Sequence, residues 1–247
     1  MELLAAIGGG AFVLASLVIG IRVMWLAQRT RGLPEFAMAL GLLLMGGLGY
    51  PILILAQFGS FLPDGARVSL IFVHLVFHAV AMPAVAVFNW RVFRPHDAWA
   101  KALLAAVCLA VLACFVGQSI DPGYRAMALD GEQVWLLYGQ IGVVVFLWSA
   151  IESLRYFARL RKREKFGLAD PVVANRFLLW GVGTLCAGSV TTLVQVLQAL
   201  GVDTNGTPAG AAVISPLGLI AACTLWLAFL PPARYTRWVT ARAAQLG

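Results

Sequence analysis

The amino-acid sequence predicts an all-α polytopic integral membrane protein, a bundle of seven transmembrane helices with its N-terminus outside and its C-terminus in the cytosol. Three observations support this fold class. The 247-residue chain is strongly apolar, it contains seven long uncharged stretches, and its basic residues are concentrated in alternate connecting segments. The first two observations identify the membrane spans, and the third sets their direction.

The composition separates this chain from soluble proteins. Hydrophobic residues make up 61% of it and charged residues 12%, whereas soluble domains are about half apolar and about one quarter charged. The mean hydropathy of +0.87 excludes a disordered chain or a secreted disulfide scaffold. The cysteines form no C-x-x-C pair and lie in apolar stretches, so we expect them to pack rather than to bind zinc or act in redox chemistry. They are Cys108, Cys114, Cys186 and Cys223.

Seven stretches are long enough to cross the membrane, since about 20 helical residues span about 30 Å of hydrocarbon. The uncharged stretches are Leu3–Ile21, Phe36–Leu62, Val68–Trp90, Ala102–Ile120, Gln133–Ile151, Phe177–Val202 and Thr204–Ala233. They predict helices near residues 3–27, 34–60, 67–92, 100–119, 132–160, 171–200 and 209–231, within one transmembrane domain at 1–233. Residues 234–247 predict a short basic and aromatic tail at the inner membrane interface.

Local signals mark several helix ends. Asp170–Pro171 is typical of the N-cap and first residue of a helix, and Gly167 of the end of the helix before it. Pro231–Pro232 is expected to end the seventh helix. In the second span, the glycines of Gly46–Gly49 favour close helix packing, and Pro51 predicts a kink that is the best candidate for movement.

The basic residues predict the orientation of the chain, because cytosolic segments are enriched in lysine and arginine. All but three of the 18 basic residues lie near the segments after spans 1, 3 and 5 or in the C-terminal tail. The exceptions are Arg22, Arg67 and Arg125. We therefore expect a multi-pass protein of the plasma (inner) membrane whose basic segments face the cytosol.

The densest basic segment extends the fifth span. We expect it to form a cytosolic basic face that contacts anionic lipids of the inner leaflet or docks a protein partner, with Glu152 paired to Arg155 or Tyr156. The net charge of +7 thus needs no nucleic acid to explain it, and no nucleic-acid-binding motif is present. The basic face comprises Arg155, Arg159, Arg161, Lys162, Arg163 and Lys165.

Two histidines stand out in the third span, because polar groups inside a bilayer are costly and often mark function. His74 and His78 are four residues apart, so a helix places both on the same face. Such a pair can bind zinc, but the site needs further ligands, and His96 is expected on the cytosolic side. A metal site at His74 and His78 therefore stays open beside two alternatives, histidines bonded to neighbouring helices and a ligand- or proton-sensing pocket.

Two other cofactors conflict with the residues present. Two histidines one turn apart on a single helix cannot be opposite axial ligands of one haem, which argues against haem. The seven-helix topology resembles that of microbial rhodopsins, which hold retinal on a lysine of the last helix. The lysines here, Lys101, Lys162 and Lys165, are all expected in the cytosol, which excludes retinal.

Polar side chains at the depth of the histidines predict an outward-facing pocket. The alternative, which the sequence supports equally well, is that each side chain only hydrogen-bonds to a neighbouring helix. The inner halves of the spans are expected to be far more uniformly apolar. The pocket hypothesis groups His74 and His78 with Tyr50, Gln57, Tyr138, Gln140, Gln195 and Ser215.

This asymmetry favours a receptor- or sensor-like protein that binds a small molecule in the outer pocket. A small-solute transporter or channel is one alternative, and a structural subunit of a membrane complex is another. A metal-dependent membrane hydrolase using His74 and His78 is a third, but the further acidic ligands are missing from the spans. The sequence favours a protein that is not an enzyme.

Overall fold

The computed structural model describes residues 2–59, 61–120, 134–202 and 207–246, and within them the backbone is helical apart from short connections, with no strand. We number the α-helices in chain order and name the one π-helix of this part of the chain separately. The elements are α1 (Glu2–Thr30), α2 (Leu33–Gly41), the π-helix (Leu42–Gly49), α3 (Tyr50–Phe58), α4 (Asp64–Phe93), α5 (Ala98–Ile120), α6 (Val134–Glu164), α7 (Pro171–Ala199), α8 (Pro208–Phe229) and α9 (Ala233–Leu246).

The described helices confirm a helical polytopic membrane protein. Six spans are long and apolar enough to cross a membrane: α1, the continuous run from α2 through α3, and α4 to α7. A seventh span is present if α8 and α9, which are bent by 82° at their junction, are counted together. Four helices end, and α7 begins, at the same end of the bundle, which we call the basic end. The four helices are α1, α4, α6 and α8.

The connection from α6 to α7 follows the predicted end signals. Gly167 has a φ of 67°, which favours glycine, and the Leu168 N–H donates to the Arg163 carbonyl at 3.0 Å. These contacts form a Schellman motif that satisfies the last carbonyls of α6. Asp170 then accepts the Val172 N–H at 2.8 Å, as an N-cap residue does. Both end signals are therefore confirmed.

The second span changes its winding before Pro51. Leu42–Gly49 is a π-helix, and the Tyr50 N–H donates to the Met45 carbonyl, five residues back. Pro51 has no N–H, and in a regular α-helix its ring would crowd a carbonyl in the preceding turn. The wider π-turn lies next to this proline and adds one residue to the turn, so the irregularity of this span begins before the predicted position of the kink.

The spans form a ring with one helix outside it. In the described residues α1 packs on α2 and the π-helix, these on α4, α4 on α6, α6 on α7, α7 on α8, and α8 closes on α1. The remaining span, α5, packs mainly on α4 and α6 among the described residues, and it exposes Leu109 and Leu112 along its length. The centre of the molecule is therefore enclosed by α1, α2 to α3, α4, α6, α7 and α8.

Candidate functional site

A small cavity lies at the centre of the helix ring. Its volume is about 50 Å³, and every span of the ring contributes to its wall. The wall is mainly apolar, with Ser16, Trp180 and Thr184 as its polar members. This volume can hold a water molecule, whereas pockets for small-molecule ligands usually measure about 300–1,000 Å³. A ligand of ordinary size therefore needs the surrounding helices to move apart.

His74 connects α4 to the π-helix. Its side chain is 1% exposed, and Nδ1 lies 2.8 Å from the Gly49 carbonyl oxygen. A carbonyl oxygen only accepts hydrogen bonds, so Nδ1 carries the hydrogen and donates it. Gly49 is the last residue of the π-helix, and a β-carbon there would collide with the Leu44 carbonyl while only touching His74. This hydrogen bond therefore joins α4 to the least regular turn of the neighbouring span.

His78 lies one turn further along α4 and stacks against His74. The ring centroids are 4.5 Å apart and the rings are tilted by 44°, so both side chains share one face of the helix. In the described part of the chain, His74 and His78 belong to no group of three or more His, Cys, Asp or Glu side chains that could hold a metal ion. The two histidines thus share one face of α4, as the periodicity predicts, and His74 is the one bonded to the π-helix.

Gln140 and Gln195 form a second polar contact. The Gln140 Nε2 donates to the Gln195 Oε1 at 2.7 Å and joins α6 to α7. Gln195 is 8% exposed and lies directly over Gly139, where a β-carbon would collide with the Gln195 amide. The absence of a side chain at position 139 therefore makes room for this bond.

The other pocket candidates are spread over the bundle. Tyr50 follows Gly49, the residue whose carbonyl bonds to His74, and is half-buried. Ser215 is buried on α8, where its backbone closely approaches Gly8 of α1. Gln57 and Tyr138 lie in α3 and α6, but their side chains are outside the described part of the structure. The structure therefore places His74 and His78 side by side and joins Gln140 to Gln195. None of these described side chains lines the central cavity.

A buried polar cluster near the basic end was missed by the sequence analysis. The Asn89 Nδ2 donates to the Val145 carbonyl at 3.2 Å, and the Trp180 Nε1 donates to the Ser149 Oγ at 2.9 Å. Asn89 and Ser149 are fully buried, so the expectation of uniformly apolar inner halves is wrong here. Helical spacing could have revealed it, because Asn89 lies 11 residues after His78 and so falls on the same face of α4.

Glu152, about one turn after Ser149 on α6, adds a charged group next to this cluster. Its side chain is 5% exposed and accepts from the Arg94 Nε at 3.0 Å and from the Arg155 Nη1 at 3.4 Å. The predicted pairing with Arg155 is confirmed, but the closer partner, Arg94, belongs to the segment after α4 and was not predicted. Hydrogen bonding to Glu152 raises the pKa of Arg94, so its guanidinium stays charged at any working pH. The pair joins α4 to α6 at the basic end.

The face of α4 that points into the ring thus connects these features in order. His74 bonds to the π-helix and stacks on His78, Val85 lines the central cavity, and Asn89 belongs to the polar cluster. At 1.5 Å per residue, the 15 residues from His74 to Asn89 cover about 22 Å of the span. No protein-family model, curated protein or solved structure matches this chain.

Proposed function

We propose that the protein is a receptor-like membrane sensor that binds a small molecule inside the helix ring, close to His74 and His78. The observation that carries this proposal is the 2.8 Å hydrogen bond from His74 to the Gly49 carbonyl. A ligand that accepts the His74 Nδ1 hydrogen in place of the Gly49 carbonyl would favour a different winding of the π-helix. The ligand then shifts the equilibrium between two helix arrangements by its difference in affinity for them.

The π-helix is the element best suited to move. Each residue of a π-helix bonds to the fifth residue along, and returning to α-helical winding shifts the register by one residue. Such a shift would rotate the helix that follows and rearrange the wall of the central cavity, to which Leu42, Met45 and Gly46 of the π-helix belong. Since α4 contacts both the π-helix and α6, the change would reach Asn89 and the Arg94–Glu152 pair at the basic end.

The cavity wall indicates the chemical class of the ligand. The wall is mostly apolar, and the Ser16 hydroxyl is fully buried without a hydrogen-bond partner among the described residues. A small, mainly apolar molecule with one hydrogen-bonding group for Ser16 and another for His74, such as a hydroxy ketone, would satisfy the wall and the His74 contact together. A highly charged ligand would lose its hydration without gaining ionic partners.

His74 can be tested by native mass spectrometry of the protein, gently purified with whatever molecule it carries. We expect a stoichiometric organic adduct on the wild type and its loss in His74→Ala, with an affinity decrease of at least tenfold from the lost hydrogen bond. His74→Asn should retain the adduct, because the asparagine Nδ2–H takes the place of the histidine Nδ1–H.

Val73→Ala is the matched control for His74→Ala, since Val73 is the preceding residue on α4 and is 37% exposed. It should leave the adduct unchanged, and melting temperatures should show that all variants fold. If His74→Ala carries the same organic adduct in the same amount as the wild type, the proposal is contradicted. A metal adduct lost from a His74→Ala/His78→Ala variant would instead support the hydrolase alternative.

We further propose that the basic end faces the cytosol of a plasma (inner) membrane, where its cations meet anionic lipids. This orientation can be tested by introducing single cysteines into the protein and adding a membrane-impermeant thiol reagent to intact cells. Val202→Cys, next to Asp203 beyond the end of α7, should react, and Lys162→Cys on the cytosolic extension of α6 should react only after lysis. The opposite pattern would reverse the orientation. A variant without added cysteine measures the background from the natural thiols.

A further inference from the structure

A second cavity lies at the basic end, between α6, α7 and α9. Its volume is about 230 Å³. Charged side chains reach it from two helices, Arg161 and Glu164 from α6 and Arg242 from α9, and Trp238 adds an aromatic wall. Because α9 is bent by 82° from α8, it crosses the end of the bundle at the level where the spans finish. The cavity therefore lies where lipid headgroups are expected.

Glu164 is an unusual member of this lining. Its side chain is 9% exposed, and the Oε2 accepts from the Arg161 Nη1 at 2.8 Å. The Oε1 is also buried, but no described residue donates a hydrogen bond to it. A carboxylate oxygen can only accept, and leaving a buried one without a donor is costly. The site therefore calls for a ligand that presents a hydrogen-bond donor, preferably a cationic one.

The arginines around Glu164 call for an anion at the same time. A guanidinium has five N–H donors, and Arg161 uses only part of its set on Glu164. Arg242 lies over the Trp238 ring at 5.3 Å from the centroid, which holds its guanidinium at the cavity wall. Arginines in this arrangement are suited to phosphate. The cavity thus combines sites for a phosphate and for a neighbouring N–H cation.

We propose that this cavity binds a phospholipid headgroup that carries both a phosphate and a primary ammonium, as in phosphatidylethanolamine. The ammonium donates to the Glu164 Oε1, and Arg161 and Arg242 bind the phosphate. The quaternary ammonium of a choline headgroup has no N–H to donate. A glycerol headgroup has no cation to offset the charge of the Glu164 carboxylate. The exposed Trp238 and the adjoining Leu178 provide apolar contact for the acyl chains.

The test is native mass spectrometry of the full chain released from nanodiscs that contain equal amounts of phosphatidylethanolamine, phosphatidylcholine and phosphatidylglycerol. We expect the wild type to retain phosphatidylethanolamine about tenfold over phosphatidylcholine, the size of one charge-assisted hydrogen bond. Glu164→Gln should bring this ratio close to one, and Arg242→Ala should reduce retention of all three lipids. Arg237→Ala, an exposed arginine of α9 outside the cavity lining, should change neither.

Equal retention of the ethanolamine and choline lipids by the wild type would overturn the proposal, and this comparison does not depend on the folding of any variant. The proposal would also be overturned if Arg237→Ala lost the preference for phosphatidylethanolamine, because lipid selection would then depend on the overall basic charge of this end. Soluble glycerophosphoethanolamine distinguishes the source of the headgroup. Its displacement of the retained lipid supports the site, whereas its binding to protein that retains no lipid would overturn a membrane origin.

Discussion

Arg94→Ala is expected to lower the free energy of unfolding by about 3 kcal/mol, because it leaves the buried Glu152 carboxylate without its closest partner. The Glu152 side chain is 5% exposed and its bond to the Arg94 Nε is 3.0 Å long. The remaining partner, Arg155, lies at 3.4 Å with a side chain that is 61% exposed, so it compensates little. In a chain of this size, this loss corresponds to a melting temperature lower by about 6–12 °C.

Two further variants separate the charge of Arg94 from its packing. Arg155→Ala removes an exposed member of the same cluster and should cost less than about 1 kcal/mol. Arg94→Ala combined with Glu152→Gln removes the uncompensated charge and should recover part of the stability. Thermal unfolding in one detergent gives all three values. Equal melting temperatures for Arg94→Ala and Arg155→Ala would show that the Arg94–Glu152 pair does not hold α4 to α6.

Gly46→Ala is expected to destabilise the protein by about 1–3 kcal/mol, the usual cost of overpacking a filled interior. A β-carbon at position 46 would lie 2.6 Å from the Ser16 Cβ and collide with the Ser16 Oγ. Both residues are buried where the π-helix meets α1, and a change of the Ser16 rotamer moves the Oγ but not the Cβ, so only a backbone shift can relieve the contact. The substitution would push α1 away from the π-helix and disturb the wall of the central cavity, to which both residues belong.

A second substitution at Ser16 should compensate for Gly46→Ala. Ser16→Gly removes both colliding atoms, so the Ser16→Gly/Gly46→Ala double variant should regain most of the lost melting temperature. Gly10→Ala on α1 is the matched control, because a β-carbon there meets nothing within 4 Å and alanine favours the helix. Failure of the double variant to recover stability would mean that the Ser16–Gly46 contact is not what limits position 46.

The positions of the helices could be predicted from the chain because they depend on local properties. Hydrocarbon thickness sets the length of a span, so the predicted and observed helix bounds differ by at most four residues, as at the end of the fifth span, residue 160 against Glu164. The Gly167 and Asp170 signals act within a few residues of themselves. The shared face of His74 and His78 follows from helical periodicity alone.

The partners of these residues could not be predicted in the same way. His74 bonds to a carbonyl 25 residues away, and Arg94 pairs with a carboxylate 58 residues away. No local pattern states which helix faces will meet, and the π-turn that presents Gly49 adds a residue that regular spacing does not anticipate. For the same reason, the prediction of one outer pocket grouped residues that the structure places at several helix contacts.

By itself, the sequence determined an all-helical membrane protein, the limits of its spans and the faces on which its polar residues lie, because hydropathy, capping and periodicity are properties of adjacent residues. The tertiary structure alone decided the π-helix contact of His74, the central cavity, the buried Arg94–Glu152 pair and the cavity around Glu164. Each of these depends on contact between helices that are distant in the chain, and at the Ser16 and Gln195 contacts small residues, Gly46 and Gly139, permit the close approach.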